Sequence, residues 1–188
     1  MGVRDRVVQA SRGGAVIVEI PIDPSLLATA QQKGIRVVNG HPVVYTKAHV
    51  REAEDKCRLE LKRVRGGFFV PKPDVARVSV DFHFPYPSGT PKKDSSQFSY
   101  MTQRPDADNL LKGLLDAMSP KYKKMNGRLI LVSRGYWDDD SQVCLGSVRK
   151  LRTPNNPKIV LTIDRLDFRT GVELTYTPPD ASQPLANG

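Results

Sequence analysis

The chain has 188 residues, a length that suits one domain with extensions rather than two ordinary domains. Hydrophobic residues make up 39% and charged residues 26%, which excludes a disordered chain and a membrane-embedded one. Lysine and arginine number 29 against 20 acidic residues, giving a net charge of +9. A surplus of this size favours an anionic partner, most often nucleic acid, although an ordinary basic protein can carry the same charge.

The sequence offers no membrane or secretion signal. No apolar run approaches the ~20 residues needed to cross a bilayer. The apolar stretch at 15–20 contains Glu19 and is too short for a signal-peptide core, and Arg6 stands where N-myristoylation requires Ser or Thr. We therefore expect a soluble, cytoplasmic protein. Cys57 and Cys144 could form one disulfide, but nothing else indicates an oxidising compartment, so buried free thiols are expected. A structural zinc site is disfavoured, because the three histidines have no metal-ligand spacing with these cysteines.

Three regions are expected along the chain: a flexible arm at 1–14, a folded domain at 15–168 and a partly disordered tail at 169–188. The elements predicted for the domain are, in chain order, a strand at 15–20, a helical turn at 25–32, a polar connection around His41, a helix at 47–65, a strand at 78–84, a helix at 105–118, and strands at 129–137, 143–151 and 159–168. This order predicts an α+β fold in which a small mixed β-sheet packs against two main helices.

Two of these elements need comment. Residues 78–84 alternate between apolar and polar side chains, which predicts a strand with one buried face. His83 falls on the polar side and is expected to be a surface residue of the strand rather than a metal ligand. The helix at 47–65 is dense in arginine and lysine, so its outer face is either solvated or in contact with phosphate. The sequence leaves that choice open.

The helix at 105–118 is the clearest element. Its apolar stripe consists of Leu110, Leu111, Leu114, Leu115 and Met118. Asp108, Lys112 and Asp116 follow at intervals of four on a separate ridge. Local structure can account for some of these charges, because Asp106 suits an N-cap and Asp108 with Lys112 suits an i,i+4 pair. Neither role explains why two acids flank a single alanine just before an asparagine.

A second acidic cluster lies at 138–140, where three adjacent aspartates follow Trp137. A solvated acidic loop is the simplest interpretation. In a chain this basic, however, close carboxylates also indicate a cation site, because Mg²⁺ prefers oxygen ligands and often takes few carboxylates together with substrate phosphate. Acids at a helix start, joined by an acid from a distant strand end, would supply such a site. The bound metal would remove the repulsion between these carboxylates and a phosphodiester.

At these two segments the sequence resembles the RusA-type Holliday-junction resolvases, a family common in bacteria and their prophages. The resemblance rests on Pro-Asp-Ala-Asp-Asn-Leu at 105–110 with Lys112 and Asp116, and on Trp137 followed by Asp-Asp-Ser-Gln-Val at 139–143. It implies a RusA-like fold over roughly residues 15–168. It also implies a homodimeric endonuclease, dependent on Mg²⁺ with Mn²⁺ as an alternative metal, that cuts paired strands of branched, four-way DNA during recombination and repair.

The resemblance also implies roles for individual residues. The metal ligands that it implies are Asp106, Asp108 and Asp140, with Asp139 as a second-rank candidate. The essential lysine of the family falls on Lys112, which would orient the attacking water or offset charge on the phosphate. Asp116 would support Lys112. The choice of Asp140 rather than Asp138 depends on aligning the Ser-Gln-Val that follows.

The chain departs from the compact family pattern at 119–134, which is longer than usual between the helix and the acidic cluster. The predicted DNA-binding residues are Lys121, Lys123, Lys124 and Arg104. These side chains either contact phosphate or are solvated, and phosphate contact is the preferred interpretation. Two other functions are considered: a non-catalytic structure-specific DNA-binding module, and a metal-dependent phosphoesterase acting on simpler nucleic acids.

Overall fold

The computed structural model describes residues 9–10, 15–29 and 33–175. The strands are β1 (Gln9–Ala10), β2 (Val16–Ile20), β3 (Lys33–Val38), β4 (His41–Thr46), β5 (Val75–Pro85), β6 (Ser99–Tyr100), β7 (Lys121–Met125), β8 (Arg128–Ser133), β9 (Val143–Thr153), β10 (Lys158–Leu166) and β11 (Glu173–Leu174). The helices are α1 (Ala48–Val64) and α2 (Ala107–Met118), with 3₁₀ turns at Pro24–Thr29 and Asp140–Gln142. Within these ranges no helix is long and apolar enough to cross a membrane.

Strand β5 is the centre of the main sheet, pairing antiparallel with β10 and parallel with β9. The described strands of this sheet follow the order β1-β2-β10-β5-β9-β6, with β11 beside β10. A parallel pair needs a long crossover connection. Here the chain between β5 and β9 contains β6, α2, the β7–β8 hairpin and the acidic cluster at 138–140. The mixed sheet and the two helices confirm the predicted α+β fold.

The core lies between one face of the sheet and the two helices. Every second residue of β5 is fully buried from Ala76 to Phe82, as the alternating pattern predicts. Helix α2 buries its predicted leucine stripe, with Leu110 and Leu114 completely excluded from solvent. Burying a leucine side chain stabilises the fold by about 1.5–3 kcal/mol. The stripe therefore fixes α2 against the sheet and leaves its polar ridge outside.

Two hairpins depart from the sequence predictions. Residues 33–46, interpreted as a polar connection, form β3 and β4, and the strand predicted at 129–137 is β8, which ends at Ser133 and pairs with β7. Each hairpin turns through Asn-Gly with positive φ at both residues: 52° and 79° at Asn39-Gly40, and 49° and 79° at Asn126-Gly127. These values fit the two-residue turn whose twist matches that of antiparallel strands, for which Asn-Gly is the preferred sequence.

The two cysteines are both free, but only one is buried. Burial raises the pKa of the Cys57 thiol to about 12, so this thiol stays protonated at neutral pH. The expectation that Cys144 is buried is wrong. Cys144 lies near the start of β9, where the described chain places no strand on the outer edge, because β6 pairs only with Leu151 and Arg152 at the far end.

His83 also departs from its predicted setting. It is buried, with 7% of its surface exposed, and its ring meets Phe98 in a T-shaped contact with centroids 5.5 Å apart. Its Nδ1 atom has no hydrogen-bond partner among the residues that the structure describes. Burial lowers the pKa of His83, so the ring is neutral at pH 7. Phe98, from the loop before β6, is one of the side chains that contact this polar-face position.

Only parts of the predicted arm, helical turn and tail lie among the described residues. Strand β1 pairs with β2, and β11 pairs with β10, so residues 9–10 and 173–174 take part in the sheet. The helical turn predicted at 25–32 corresponds to the 3₁₀ turn Pro24–Thr29, and its last residues fall outside the described ranges. Residues 1–8, 11–14 and 176–188 also lie outside them.

Candidate active site

The first acidic pair lies at the start of α2. Asp106 occupies the N-cap position and Asp108 the first turn, but the Asp106 side chain makes no capping hydrogen bond. Asp108 and Lys112 are both exposed and form no ion pair with each other within the described structure. The two local explanations for these charges, a helix cap and an i,i+4 pair, are therefore not realised. Both carboxylates remain available to a ligand.

A lysine from β9 holds the segment that leads into α2. The Nζ atom of Lys150 donates to the backbone oxygens of Gln103 at 2.8 Å and Pro105 at 2.9 Å. The backbone oxygen of Lys150 in turn accepts a hydrogen bond from the Met101 amide at 2.9 Å. Residues 101–105 are thereby tied to the sheet, which fixes where Asp106 emerges. The sequence analysis gives Lys150 no role, because a lysine in a strand carries no local signal for a contact some 45 residues away.

The acidic cluster at 138–140 is held by one buried amide. The Oε1 atom of Gln142 accepts hydrogen bonds from the backbone amides of Asp138 and Asp139, both at 3.0 Å. Its Nε2 atom donates to the backbone oxygens of Val70 at 3.2 Å and Asp74 at 2.9 Å. This uses all four hydrogen-bonding positions of the amide. Gln142 therefore clamps the cluster to the segment before β5.

The three aspartates of the cluster differ in their contacts. The Asp138 carboxylate accepts from the Lys72 amide at 3.1 Å, and the Asp139 carboxylate accepts from the Ser141 amide at 3.0 Å. Hydrogen bonds from Ser141 hold the pKa of Asp139 below its usual range. Asp138 thus joins the cluster to the segment at Lys72, and Asp139 stabilises the local turn. Asp140 is exposed and makes no hydrogen bond to a backbone amide.

The cluster lies beside α2. Burial raises the pKa of Asp116, the charge of Lys112 lowers it, and the negative charges of Glu54 and Asp140 raise it. Asp140 is therefore close enough to the ridge of α2 for its charge to act there. The indole Nε1 of Trp137 also donates to the Ser119 hydroxyl at the end of α2, at 3.3 Å. The end of α2 and the acidic cluster therefore lie in one region of the molecule.

The structure does not bring the predicted ligands Asp106, Asp108 and Asp140 together as one three-carboxylate metal site. Within residues 9–10, 15–29 and 33–175, no group of three Asp, Glu, His or Cys side chains is placed to hold a metal ion. The available donors near α2 and the cluster are carboxylate oxygens, which suit a hard cation such as Mg²⁺. Mg²⁺ is commonly held by one or two carboxylates with water and substrate phosphate. The donor chemistry fits this mode of binding.

The predicted DNA-binding residues occupy two places. Arg104 is exposed immediately before α2. Lys121, at the base of the β7–β8 hairpin, forms an ion pair with Asp55 of α1 at 2.6 Å. Lys123 and Lys124 are exposed on β7. The structure thus places one of the three hairpin lysines in an internal ion pair and leaves the other two facing solvent.

Comparison with known proteins identifies the family of this chain. The family model for the endodeoxyribonuclease RusA matches residues 24–164, from the first 3₁₀ turn to near the end of β10. No curated protein matches the chain. The match spans α1, α2, the acidic cluster and the central strands, which together make up most of the molecule. The chain therefore belongs to the RusA endodeoxyribonuclease family.

Proposed function

We propose that this protein is a Mg²⁺-dependent endonuclease that resolves four-way DNA junctions by paired incision. The observation that carries the proposal is the start of α2, where Asp106 and Asp108 are exposed and are used neither as a cap nor in an ion pair. Two exposed carboxylates two positions apart, neither of them used by the fold, offer the oxygen ligands that Mg²⁺ prefers. Family membership supplies the class of reaction.

Asp106, Asp108 and Asp140 are the residues that would hold the metal, with Asp139 in a supporting role. Asp140 is preferred within its cluster because Asp138 and Asp139 already accept backbone hydrogen bonds. When bound, Mg²⁺ or Mn²⁺ would supply charge neutralisation at the scissile phosphate and activation of water. The protein's own contribution is to hold acidic oxygens in place through Lys150 and Gln142.

Lys112 is the cation of the proposed site. It lies one turn after Asp108 on the exposed ridge of α2, and its charge acts on Asp116 one turn further on. A fixed ammonium beside a phosphodiester stabilises the negative charge that develops in the transition state. Asp116 would keep Lys112 oriented along the ridge, and Arg104 would contact a neighbouring phosphate.

Paired incision requires two sites related by a two-fold axis, which a homodimer with an isologous interface supplies. One chain carries one set of the proposed residues. We therefore propose that the active form is a dimer and that each subunit cuts one of two opposed strands.

The proposal is tested by cleavage of a synthetic four-way junction with Mg²⁺ or with EDTA. We expect cleavage only with the metal, and a loss of at least 100-fold in Asp108→Asn, because a neutral amide binds a hard cation poorly. Glu52→Gln, which removes the same charge from an exposed position on α1, is the matched control and should cleave normally. Equal cleavage in EDTA would refute the metal role, and binding without any cleavage would favour a non-catalytic module.

Comparison of substrates tests the preference for branched DNA. We expect faster turnover on the junction than on duplex or single-stranded DNA of the same sequence. Equal turnover on all three would instead indicate a general metal-dependent phosphoesterase.

A further inference from the structure

The β7–β8 hairpin, residues 121–133, is named the ribbon below. All of its residues are exposed except the first and last, Lys121 and Ser133, which are half-buried. Cross-strand pairs place Tyr122, Lys124, Leu129 and Leu131 on one face, and Lys123, Met125, Arg128 and Ile130 on the other. Each face therefore combines basic and apolar side chains. Neither face is covered by another part of the described chain.

Hydrogen bonds from two arginines hold the chain on both sides of the ribbon, whereas the residues at its tip are exposed. Arg58 of α1 donates to the backbone oxygens of Ser119 at 2.5 Å and Asp116 at 2.7 Å, just before the ribbon. Arg65, the C-cap residue of α1, donates to the backbone oxygens of Arg134 at 3.1 Å and Gly135 at 2.5 Å, just after the ribbon. One arginine of α1 and the arginine that caps it thus hold the two ends of the ribbon. The direction in which the ribbon projects is fixed by α1.

The charge of the ribbon identifies its partner. Between Asp116 and Asp138 the chain has no acidic residue. The basic residues of this interval are Lys121, Lys123, Lys124, Arg128 and Arg134. Two ribbons from two copies would repel each other, since both carry only positive charge. A polyanion with apolar groups between its charges is complementary both to the positive charge and to the exposed apolar side chains of the ribbon. Duplex DNA is such a polyanion, with phosphates along the groove walls and thymine methyl groups on the major-groove floor.

We propose that the ribbon enters the major groove of one duplex arm of the substrate, an inference that rests on the proposed function for the identity of that substrate. Two strands about 4.8 Å apart with their side chains fit a groove about 12 Å wide. Lys123, Lys124 and Arg128 lie against the phosphates. Leu129 and Leu131 face the base edges. The ribbon thereby sets where along an arm the subunit sits.

The first test removes the charge of the ribbon. The triple variant Lys123→Gln/Lys124→Gln/Arg128→Gln should bind a four-way junction, and an unbranched duplex, more weakly than the wild type. The slope of log K against log salt should become shallower by about 2–3, at about 0.9 per phosphate contact.

The matched control removes three exposed charges from α1 in Arg51→Gln/Lys56→Gln/Lys62→Gln. Its salt slope should stay close to that of the wild type. An equal change in both triple variants would show that binding follows net charge, and would overturn the groove assignment. If the wild type binds and is weakened by the ribbon variant but cleaves nothing, the proposed function fails while the ribbon inference stands.

A second test detects contact with the major groove directly. Dimethyl sulfate methylates guanine N7 in the major groove, so the wild type should protect guanines at one position on each arm that it contacts. The variant Leu129→Thr/Leu131→Thr keeps good strand formers and should lose this protection. If that variant instead becomes monomeric in sedimentation while protection per subunit is unchanged, the ribbon is an interface between two copies and the inference is wrong.

Discussion

Gln142 shows how a single side chain can fix the geometry of a site without touching a ligand. It is 5% exposed, and its amide is hydrogen-bonded to the acidic cluster on one side and to the segment before β5 on the other. Asp139 and Gln142 also form a reciprocal capping box around the 3₁₀ turn. The cluster is thus positioned by groups that are not themselves proposed as ligands.

We predict that Gln142→Glu destabilises the fold by about 2–4 kcal/mol and reduces junction cleavage. The carboxylate still accepts from Asp138 and Asp139, but it cannot donate to Val70 and Asp74, and it adds a buried charge next to three aspartates. Urea denaturation measures the loss of stability. Gln97→Glu, at an exposed position, is the control and should change stability by less than about 0.5 kcal/mol. Equal stability of Gln142→Glu and wild type would contradict the clamp.

His83 predicts a pH dependence of stability. Burial lowers its pKa in the folded protein, whereas in the unfolded chain the pKa is about 6.5. The unfolded state therefore takes up the proton more readily, and stability present above pH 6.5 is lost as the pH falls below that value. Asp81 and Glu19 favour the protonated ring, and Lys158 and Arg149 oppose it, but burial dominates.

The measurement is the free energy of unfolding in urea at pH 7.5 and pH 5.5 for wild type and His83→Leu. The wild type should lose more stability between these two values than the variant, because leucine does not titrate. The carboxylates of both proteins respond alike, so they cancel in the comparison. A variant that loses as much stability as the wild type would show that His83 does not carry the effect.

At the scale of elements, the two stems of the ribbon meet at a point where only glycine fits. A Cβ at Gly135 would lie 2.5 Å from the backbone oxygen of Met118 and 2.6 Å from the backbone nitrogen of Pro120. The Tyr136 amide next to it donates to the same Met118 oxygen at 2.9 Å. Backbone atoms cannot move aside as a flexible side chain can. Close approach of the stems therefore depends on this residue.

Gly135→Ala should destabilise the protein by about 1–3 kcal/mol, as overpacking does elsewhere, and should weaken DNA binding by loosening the root of the ribbon. Gly127→Ala, at the tip, meets no neighbouring atom and should cost only about 1 kcal/mol of backbone strain. Thermal unfolding and junction binding of the two variants separate these effects. If both variants bind DNA as the wild type does, rooting of the ribbon does not matter for binding.

The elements differ in how far the sequence predicts them. The periodic spacing of apolar residues in the sequence predicts helix α2 and strand β5, and in the structure the apolar face of each lies in the core. The first hairpin is missed, and only β8 of the second is predicted, although Asn39-Gly40 and Asn126-Gly127 are strong turn signals. The other three strands mix exposed apolar and polar residues without a buried face, so period-two alternation gives no sign of them.

The residues of the candidate site also differ in how far the sequence predicts them. The acidic residues are found because they cluster locally in the sequence. Their supports are not, because Lys150 and Gln142 act on backbone atoms of segments far away in the chain. Exposure of Cys144 is likewise decided by which strand lies next to β9. Such contacts depend on the order of strands in the sheet, which no local pattern contains.

At the scale of the whole molecule, the proposed paired incision makes a prediction about mixed dimers. Wild-type and Asp108→Asn subunits mixed in equal amounts and allowed to exchange should form about one quarter wild-type dimers, one half mixed dimers and one quarter inactive dimers. On a plasmid with an extruded cruciform, two coordinated cuts give a linear product, whereas one cut gives a nicked circle.

We expect the mixture to yield nicked circles in excess of linear product, and wild-type protein alone to yield mainly linear product. Mixing wild type with Glu52→Gln is the control and should leave the linear fraction unchanged. A mixture that loses activity only in proportion to the inactive subunits, with no rise in nicked circles, would indicate that the two cuts are not divided between the subunits of a dimer, and would contradict the proposal.

The parallel pairing of β5 with β9 has a consequence for how such proteins diversify. Both candidate acidic segments and the ribbon belong to one excursion of the chain that leaves the sheet at β5 and returns at β9. Apart from the short pairing of β6 with β9, only the two ends of that excursion are set by register in the main sheet, so the part between α2 and the acidic cluster can gain or lose residues while the sheet stays as it is. An insertion or deletion at this one place in the gene can thus change the segment proposed to contact DNA while the candidate active site stays the same.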